Sequence, residues 1–498
     1  MSSLKSTSSD AIDSGASAVW TFGSSGVIDT SLSSLILPSF NPRDYQSEAA
    51  LFLVDRLRAM LVADPGLGKT GTSLLALDML KLVGSNFFPA LVLAPKRVAD
   101  VVWSGEKDKW ASFQHLNVVQ ITGTLQERLD ILRRPTADIY VINYELVPWL
   151  VTLWPQERWP FRIVIADECS RLKGFRLNKG TVRASALSDI AQFTGRWWNL
   201  TGTPAPNGLQ DLWGQMYFID FGERLKRNYT AFAEAYLMEN RYTRKIVLQS
   251  GAAESIQEAV KDVLVAYRAE DWLDITKPQE LAVEFELPPA ARAQYKRMEK
   301  EFFLEVDDAQ IEAGTAAIKS SKLLQICAGS VIDTGTSTAH NIHDGRLEAL
   351  DDVLDQIEPE PLLVSYWWKS DVPRLLEHLK RREVPARAYG GKQDEIDWNA
   401  RKFRVMLLQE QSAFGLNLHD PCRDIMHYSY TWNAELWQQM IERVGAARQA
   451  QAGKKCVVRV WWAVAKGTVD QDVVDSNFRK ITVEQALKRA RARSRNGS

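Results

Sequence analysis

The sequence predicts an α/β chain of two parallel-sheet lobes in tandem, joined by a helical connecting region. Three observations predict it. Four- and five-residue apolar runs recur along the chain, each closed by a polar or glycine-bearing cluster, as buried parallel strands require. Stretches of helical length and spacing separate them, an alternation that covers both faces of a sheet with helices. The 498 residues are too many for one hydrophobic core.

Residues 1–34 are rich in Ser, Gly and Thr and read as a disordered tail. The first lobe is expected over 35–221, with strands at Ala90–Ala94, Ile139–Asn143, Ile163–Ala166 and Trp197–Leu200 and a helix over Thr72–Leu82. Residues 222–275 break this rhythm with charged helical segments and no clear buried strand, which marks the connecting region. Alternation resumes at Leu281–Leu287, Leu362–Tyr366, Val405–Leu408, Ile425–Tyr430 and Val457–Val464, inside a second lobe spanning 276–482. The chain closes on a basic tail, 483–498, whose cluster from Lys488 to Arg495 reads first as a solvated end. The pairs Trp197-Trp198 and Trp367-Trp368 fall in or beside strands, so they are expected in the core and not on a base-stacking surface.

Composition excludes several classes. Net charge is −1, from 61 Lys+Arg against 62 Asp+Glu, so the whole surface cannot coat a polyanion and any such grip comes from local patches. No apolar run approaches the roughly 18 residues that span a bilayer, and the first residues lack a secretory pattern. Cys169, Cys327, Cys422 and Cys456 are scattered without a CxxC pair, which argues against a zinc site or disulfide framework. The expected compartment is the cytoplasm, the host's if the chain is phage-encoded.

Ala63–Thr70 reads ADPGLGKT between an apolar stretch and a helical one. A phosphate loop needs that strand–loop–helix context, because backbone N–H groups and the helix N-terminus converge on the anion. Gly66 and Gly68 allow close approach of the backbone, Lys69 neutralises the β- and γ-phosphates, and Thr70 ligates Mg²⁺. The loop begins at Ala63 where glycine is usual. About a hundred residues on, an apolar strand ends in Asp167-Glu168, placing two carboxylates at the carboxyl edge of a sheet. Asp167 suits the Mg²⁺ shell, and Glu168 suits orienting and deprotonating a water. ATP and Mg²⁺ are the implied cofactors.

These residues resemble the superfamily-two helicases and, within them, the Swi/Snf-like branch with its small phage-type members. The match runs in order from about residue 37 to 480. Tyr45-Gln46 resembles the glutamine motif, which implies adenine reading by Gln46. Leu93-Ala94-Pro95-Lys96 followed by Trp103 is similar to the first DNA-contact motif, Ile142–Glu145 to the segment before the acidic motif, and Asp167–Lys173 to the acidic motif itself. Leu200–Asn207, LTGTPAPN, followed by Asp211-Leu212-Trp213, is the most specific match, and implies that Thr201, Gly202 and Thr203 couple ATP to nucleic acid. In the second half, Leu363–Tyr366 resembles motif four, Ser412–Leu418 with Gly415 motif five, Trp432 through Arg443 the start of the arginine-finger motif, and Gly467–Asp470 the closing segment. The resemblance implies two RecA-like lobes, DNA as the partner, and a helicase or translocase driven by ATP hydrolysis.

The chain departs from the family pattern where a second arginine is usual, three residues after Arg443: Ala446 stands there and Arg448 follows. Either Arg448 takes that role, brought back by a loop at Gly445, or the finger rests on Arg443 alone. Glu442 also stands where glycine is common, and Phe414 where a small residue is. Lys96, Arg97, Arg171, Lys173, Arg176 and Lys179 form the best local basic set for a nucleic-acid backbone, which carries no base information. The rival reading is a catalytically weak DNA-binding clamp or decoy on the same fold. A P-loop kinase or metabolic ATPase leaves the second lobe unexplained.

Overall fold

Alternation of residues along the buried strands builds two parallel sheets. The computed structural model describes residues 37–133, 137–177, 181–205, 208–239, 246–308, 313–333, 335–336, 338–412, 416 and 418–478. The first sheet is formed by β1 (Arg58–Ala63), β2 (Ala90–Ala94), β3 (Val118–Ile121), β4 (Ile139–Asn143), β5 (Ile163–Asp167) and β6 (Arg196–Thr201). A small hairpin follows, β7 (Leu237–Glu239) with β8 (Ile246–Leu248), and then β9 (Leu264–Tyr267) completes the sheet in the order β3-β4-β2-β5-β6-β1-β9.

Residues 222–275, read from the sequence as helical with no clear buried strand, thus also carry three short, mostly unburied strands. β9 pairs parallel with β1 from Met60↔Leu264 to Ala63↔Tyr267, and of its residues only Tyr267 is buried. The run Val263–Tyr267 is apolar throughout, so a strand here was legible in the sequence, although at the sheet edge it is only partly covered.

The second sheet takes β10 (Gln279–Phe285), a separate small pair β11 (Ser330–Ile332) and β12 (Ala339–Asn341), then β13 (Leu362–Tyr366), β14 (Ala386–Ala388), β15 (Val405–Gln409), β16 (Asp424–His427) and β17 (Arg459–Ala465). Its order is β10-β17-β16-β13-β15-β14, and every neighbouring pair is parallel.

The central strands are buried on both faces, because successive side chains leave a strand on opposite sides and each side meets a core cluster. In β2, Leu91 and Leu93 join one core cluster while Ala90, Val92 and Ala94 join the other. In β13, Leu363 faces one second-lobe cluster and Leu362, Val364 and Tyr366 face the other. Trp197 and Trp198 split between the two first-lobe clusters, fully buried, and Trp368 is buried in the second lobe; Trp367 packs half-buried beside it. These tryptophans are core, as expected. Among the described residues no helix is long and apolar enough to cross a membrane.

Candidate nucleotide site at the lobe cleft

β1 delivers the chain into the loop Asp64–Gly68, and the helix Lys69–Val83 departs from it. Gly66 and Gly68 hold φ of 89° and 77°, left-handed angles that a side chain rarely tolerates. The edge strand braces the loop: the Asp64 N–H donates to Tyr267 O at 3.1 Å, and its carboxylate accepts Ala269 N–H at 2.8 Å. Lys69 Nζ donates to Ala63 O at 2.7 Å, curling the ammonium over the loop. Tyr45 and Gln46 reach the loop from the other side, each donating to Leu67 O at 3.2 Å, and Gln46 is buried.

Asp167 ends β5, with β2 on one side and β6 on the other, and is 6% exposed. Burial pushes its carboxyl up to about 6; the neighbouring Glu168 charge adds to this, while a hydrogen bond from Trp103 and the Lys69 charge oppose it. Trp103 Nε1 donates to Asp167 Oδ2 at 3.0 Å. The sequence placed Trp103 in a DNA-contact motif; in the structure it is wholly buried and orients the candidate metal ligand. Glu168 takes φ 55°, an unusual angle for a non-glycine residue that turns the chain sharply after β5.

β6 carries Thr201, Gly202 and Thr203, the candidate coupling residues, to the phosphate loop. Thr201 Oγ1 accepts the Thr203 N–H at 3.1 Å, and a Cβ on Gly202 would lie 3.1 Å from Pro65 Cδ, so this turn rests directly on the phosphate loop. Gln215, which the sequence reading did not single out, bridges the two motifs: its Nε2 donates to Pro204 O at 2.5 Å and its Oε1 accepts from Cys169 Sγ at 3.2 Å. A buried glutamine in an apolar helix was the available signal.

The second lobe meets this site through the helices Ala434–Val444 and Ala446–Gln451, separated at Gly445. Gly445 has φ −55° and ψ 153°, backbone open to any residue. Its need for glycine is closeness, since a Cβ would lie 3.0 Å from Glu442 Cα. The break rephases the following helix. A Cβ on Gly66 would sit 3.2 Å from Ala447 Cβ and 3.4 Å from Arg448 Cγ, and Gln451 donates to Gly66 O. Ala446 instead packs into the second lobe's core, 8% exposed. The position that faces the phosphate loop is therefore Arg448, and Ala446 does not.

Arg443 is 8% exposed; its Nε donates to Gln439 O at 2.9 Å, and its Nη2 lies 3.9 Å from Glu442 Oε2. Burial lowers its pKa, with the charges of Glu442 and Glu168 opposing. Burial also pushes Arg448 down to about 9, helped by the Arg443 charge. Burial raises Glu442 to about 7, against the pull of Arg443 and Lys69. Two half-stripped guanidiniums and an ammonium, held against a loop of backbone N–H groups, form a donor set that fits a polyphosphate.

The basic set divides. Lys96 is exposed and Arg171 and Lys173 are half-buried. Arg176 lies 3.5 Å above the Tyr229 ring and donates to Phe175 O at 2.6 Å, and Arg97 turns into the second lobe. Lys179 and Gly415 lie outside the described residues, as do residues 1–34 and 483–498.

The chain is similar to several known proteins. The SNF2-related domain matches residues 45–330. Protein p41 of Acyrthosiphon pisum secondary endosymbiont phage 1 is 39% identical over 92% of this chain and 100% of its own length. The ISWI chromatin-remodeling complex ATPase ISW1 of Saccharomyces cerevisiae is 23% identical over 89% of this chain, which spans only 40% of that protein. The solved SWI2/SNF2 ATPase core of Sulfolobus solfataricus in complex with dsDNA aligns with 92% of this chain and 97% of its own, at 20% identity and a TM-score of 0.44. With its phosphate loop, acidic strand end and coupling turn on one parallel sheet, and a domain match over more than half its length, this chain belongs to the SNF2-related family.

Proposed function

We propose that this chain is a DNA-stimulated ATPase that couples lobe closure to movement along, or remodelling of, DNA. One observation carries the reading: Arg448 of the second lobe lies against Gly66 of the phosphate loop, with Arg443 beside it and under the charge of Glu168. ATP with Mg²⁺ supplies the phosphoryl group and its counter-charge. Lys69 meets the β- and γ-phosphates, Thr70 and Asp167 hold the metal, and Gln46 reads adenine. Glu168 orients and deprotonates the attacking water. Arg443 and Arg448 stabilise charge developing on the transferred group, and they reach it only while the cleft is closed. Gly415 belongs to the motif-five loop that senses both ligands. Gly202 lies against Pro65 of the phosphate loop, and with Thr201 and Thr203 it transmits the state of that loop.

DNA is gripped by its backbone through Lys96, Arg171 and Lys173, with little sequence preference. The test is ATP turnover measured with duplex, single-stranded, forked and four-way DNA, and with RNA. Stimulation by a DNA form supports the reading. Turnover indifferent to every nucleic acid, or stimulated by RNA alone, refutes it.

A further inference from the structure

Arg97 follows β2 and opens Val98–Val102, one wide π-turn that runs on into the helix Trp103–Asp108. Such turns concentrate at functional sites. This one is pinned from β3, where Gln120 Nε2 donates to Asp100 O at 2.5 Å and lies 2.9 Å from Ser104 Oγ. The side chain of Arg97 crosses the cleft. It donates to Tyr389 OH and lies over that ring, 4.9 Å from its centre. Its Nη1 lies 3.5 Å from Ser412 O, at the start of the motif-five loop, and its Nη2 lies 3.7 Å from Glu395 Oε2. Four contacts to three separate second-lobe segments use the planar guanidinium as a fork, a role an ammonium cannot reproduce.

The other end of the same element reaches the chemistry. Trp103, six residues on, holds Asp167 Oδ2, and a Cβ on Gly71, in the first turn after the phosphate loop, would lie 3.4 Å from Glu106 Oε1. We infer that Arg97 is a positioning residue, an interlobe clasp that ties the motif-five edge of lobe two, through the Val98–Asp108 segment, to the carboxylate proposed to hold the metal. Its task is to set lobe separation, and DNA phosphate is not its partner. The turnover arm of the test rests on the proposed ATPase reading; the distance arm does not.

The experiment places a fluorescent donor on lobe one and an acceptor on lobe two of the full chain and reads their separation by energy transfer without ligands. Arg97→Ala, Arg97→Lys and the lobe-two pair Tyr389→Phe/Glu395→Gln are compared. All three should shift the ligand-free population toward open. Combining Arg97→Ala with the lobe-two pair should add nothing beyond either alone. At saturating DNA, turnover should fall about tenfold with KM for ATP within twofold, while DNA affinity and its salt dependence stay within twofold of the parent. An unchanged lobe separation in Arg97→Ala, at parental melting temperature, overturns the clasp. A salt slope lower by about 0.9, the signature of one lost phosphate contact, with separation unchanged would assign Arg97 to DNA instead. A parent without DNA-stimulated turnover defeats the ATPase reading and leaves the distance measurement to decide the clasp.

Discussion

Placing an arginine at position 446, where the family pattern has its second finger, should fail to help this chain. Ala446 is 8% exposed and packs into the second-lobe core. The open space beside it is a cleft lined by Asp274, Ile275 and Thr276 and by Lys454 and Lys455. An arginine turned that way meets Asp274 and Lys455, already paired with each other, and Lys454, paired with Asp420, and gains no phosphate contact; turned inward it overpacks the core. Overpacking costs roughly 1–3 kcal/mol, and for a lobe of this size each kcal/mol moves the melting point by about 2–4 °C. Ala446→Arg should therefore melt ~2–12 °C lower with turnover no higher than the parent. Arg448→Ala should show the opposite pattern. Its guanidinium is held in the cleft at a lowered pKa, so removing it should leave stability equal or slightly higher, while DNA-stimulated turnover falls at least about tenfold, or 1.4 kcal/mol of barrier. Arg443→Ala should abolish that turnover. Paired melting curves and steady-state ATPase assays read both axes. Higher turnover in Ala446→Arg at an unchanged melting point, or parental turnover in Arg448→Ala, would refute the placement of the second finger.

Within lobe one, Lys69→Ala should lose nucleotide affinity and turnover together, whereas Glu168→Gln should bind ATP normally, hydrolyse none and accumulate on DNA; equilibrium binding with labelled nucleotide separates them. DNA binding should weaken by about 0.9 log units per backbone contact for each tenfold rise in salt. Removing Arg171 and Lys173 should flatten that slope, and Arg176→Ala should not, since Arg176 is spent on the Tyr229 ring. Asp167 titrates in the folded chain near 6, above its unfolded value, so its ionised form at pH 7 costs fold stability and its proton competes with the metal below pH 6. Apparent Mg²⁺ affinity should drop by up to about tenfold per pH unit below that point, and Asp167→Asn should melt no lower than the parent at pH 7.5 while losing turnover. A pH-independent Mg²⁺ titration between pH 5 and 7.5 would remove Asp167 from the metal site.

Buried parallel strands were legible because each is apolar on both faces: Ala90–Ala94, Ile139–Asn143 and Leu362–Tyr366 run as the apolar pattern placed them. β9 carries the same kind of run, Val263–Tyr267, but it is flanked by Lys261-Asp262 and Arg268 inside a stretch read as charged and helical. The phosphate loop was legible because its glycines serve a local backbone need, φ 89° and 77°, that shows in the sequence itself. For Arg97 and Trp103 a motif records neighbours along the chain, while the contacts to Tyr389 and Asp167 reach 292 and 64 residues away. The break at Gly445 was foreseeable as a glycine between two arginines. Its reason, the 3.0 Å approach to Glu442 Cα, depends on packing that no spacing encodes.

The electrostatics of the closed cleft point to what should hold it shut. Lys69, Arg443 and Arg448 converge there, and burial, with mutual repulsion at Arg448, lowers both arginine pKa values. Glu168 is one negative group that acts on Arg443, and two others are weakened. Asp167 and Glu442 are themselves pushed up, to about 6 and about 7, so near neutrality Glu442 carries only part of a charge. Closing such a cleft when empty is costly, because its buried cations lose hydration that groups of weakened charge replace only in part. A triphosphate brings negative charge, and it relieves the arginines only if they reach it, which requires closure. Two contacts independent of nucleotide, Arg97 with Tyr389 and Gln451 with Gly66 O, hold the lobes near that geometry in advance. Nucleotide then acts as a difference between two nearby lobe positions. This requires that the closed population rise with ATP and fall on Arg448→Ala at fixed ATP, and energy transfer between the lobes measures both.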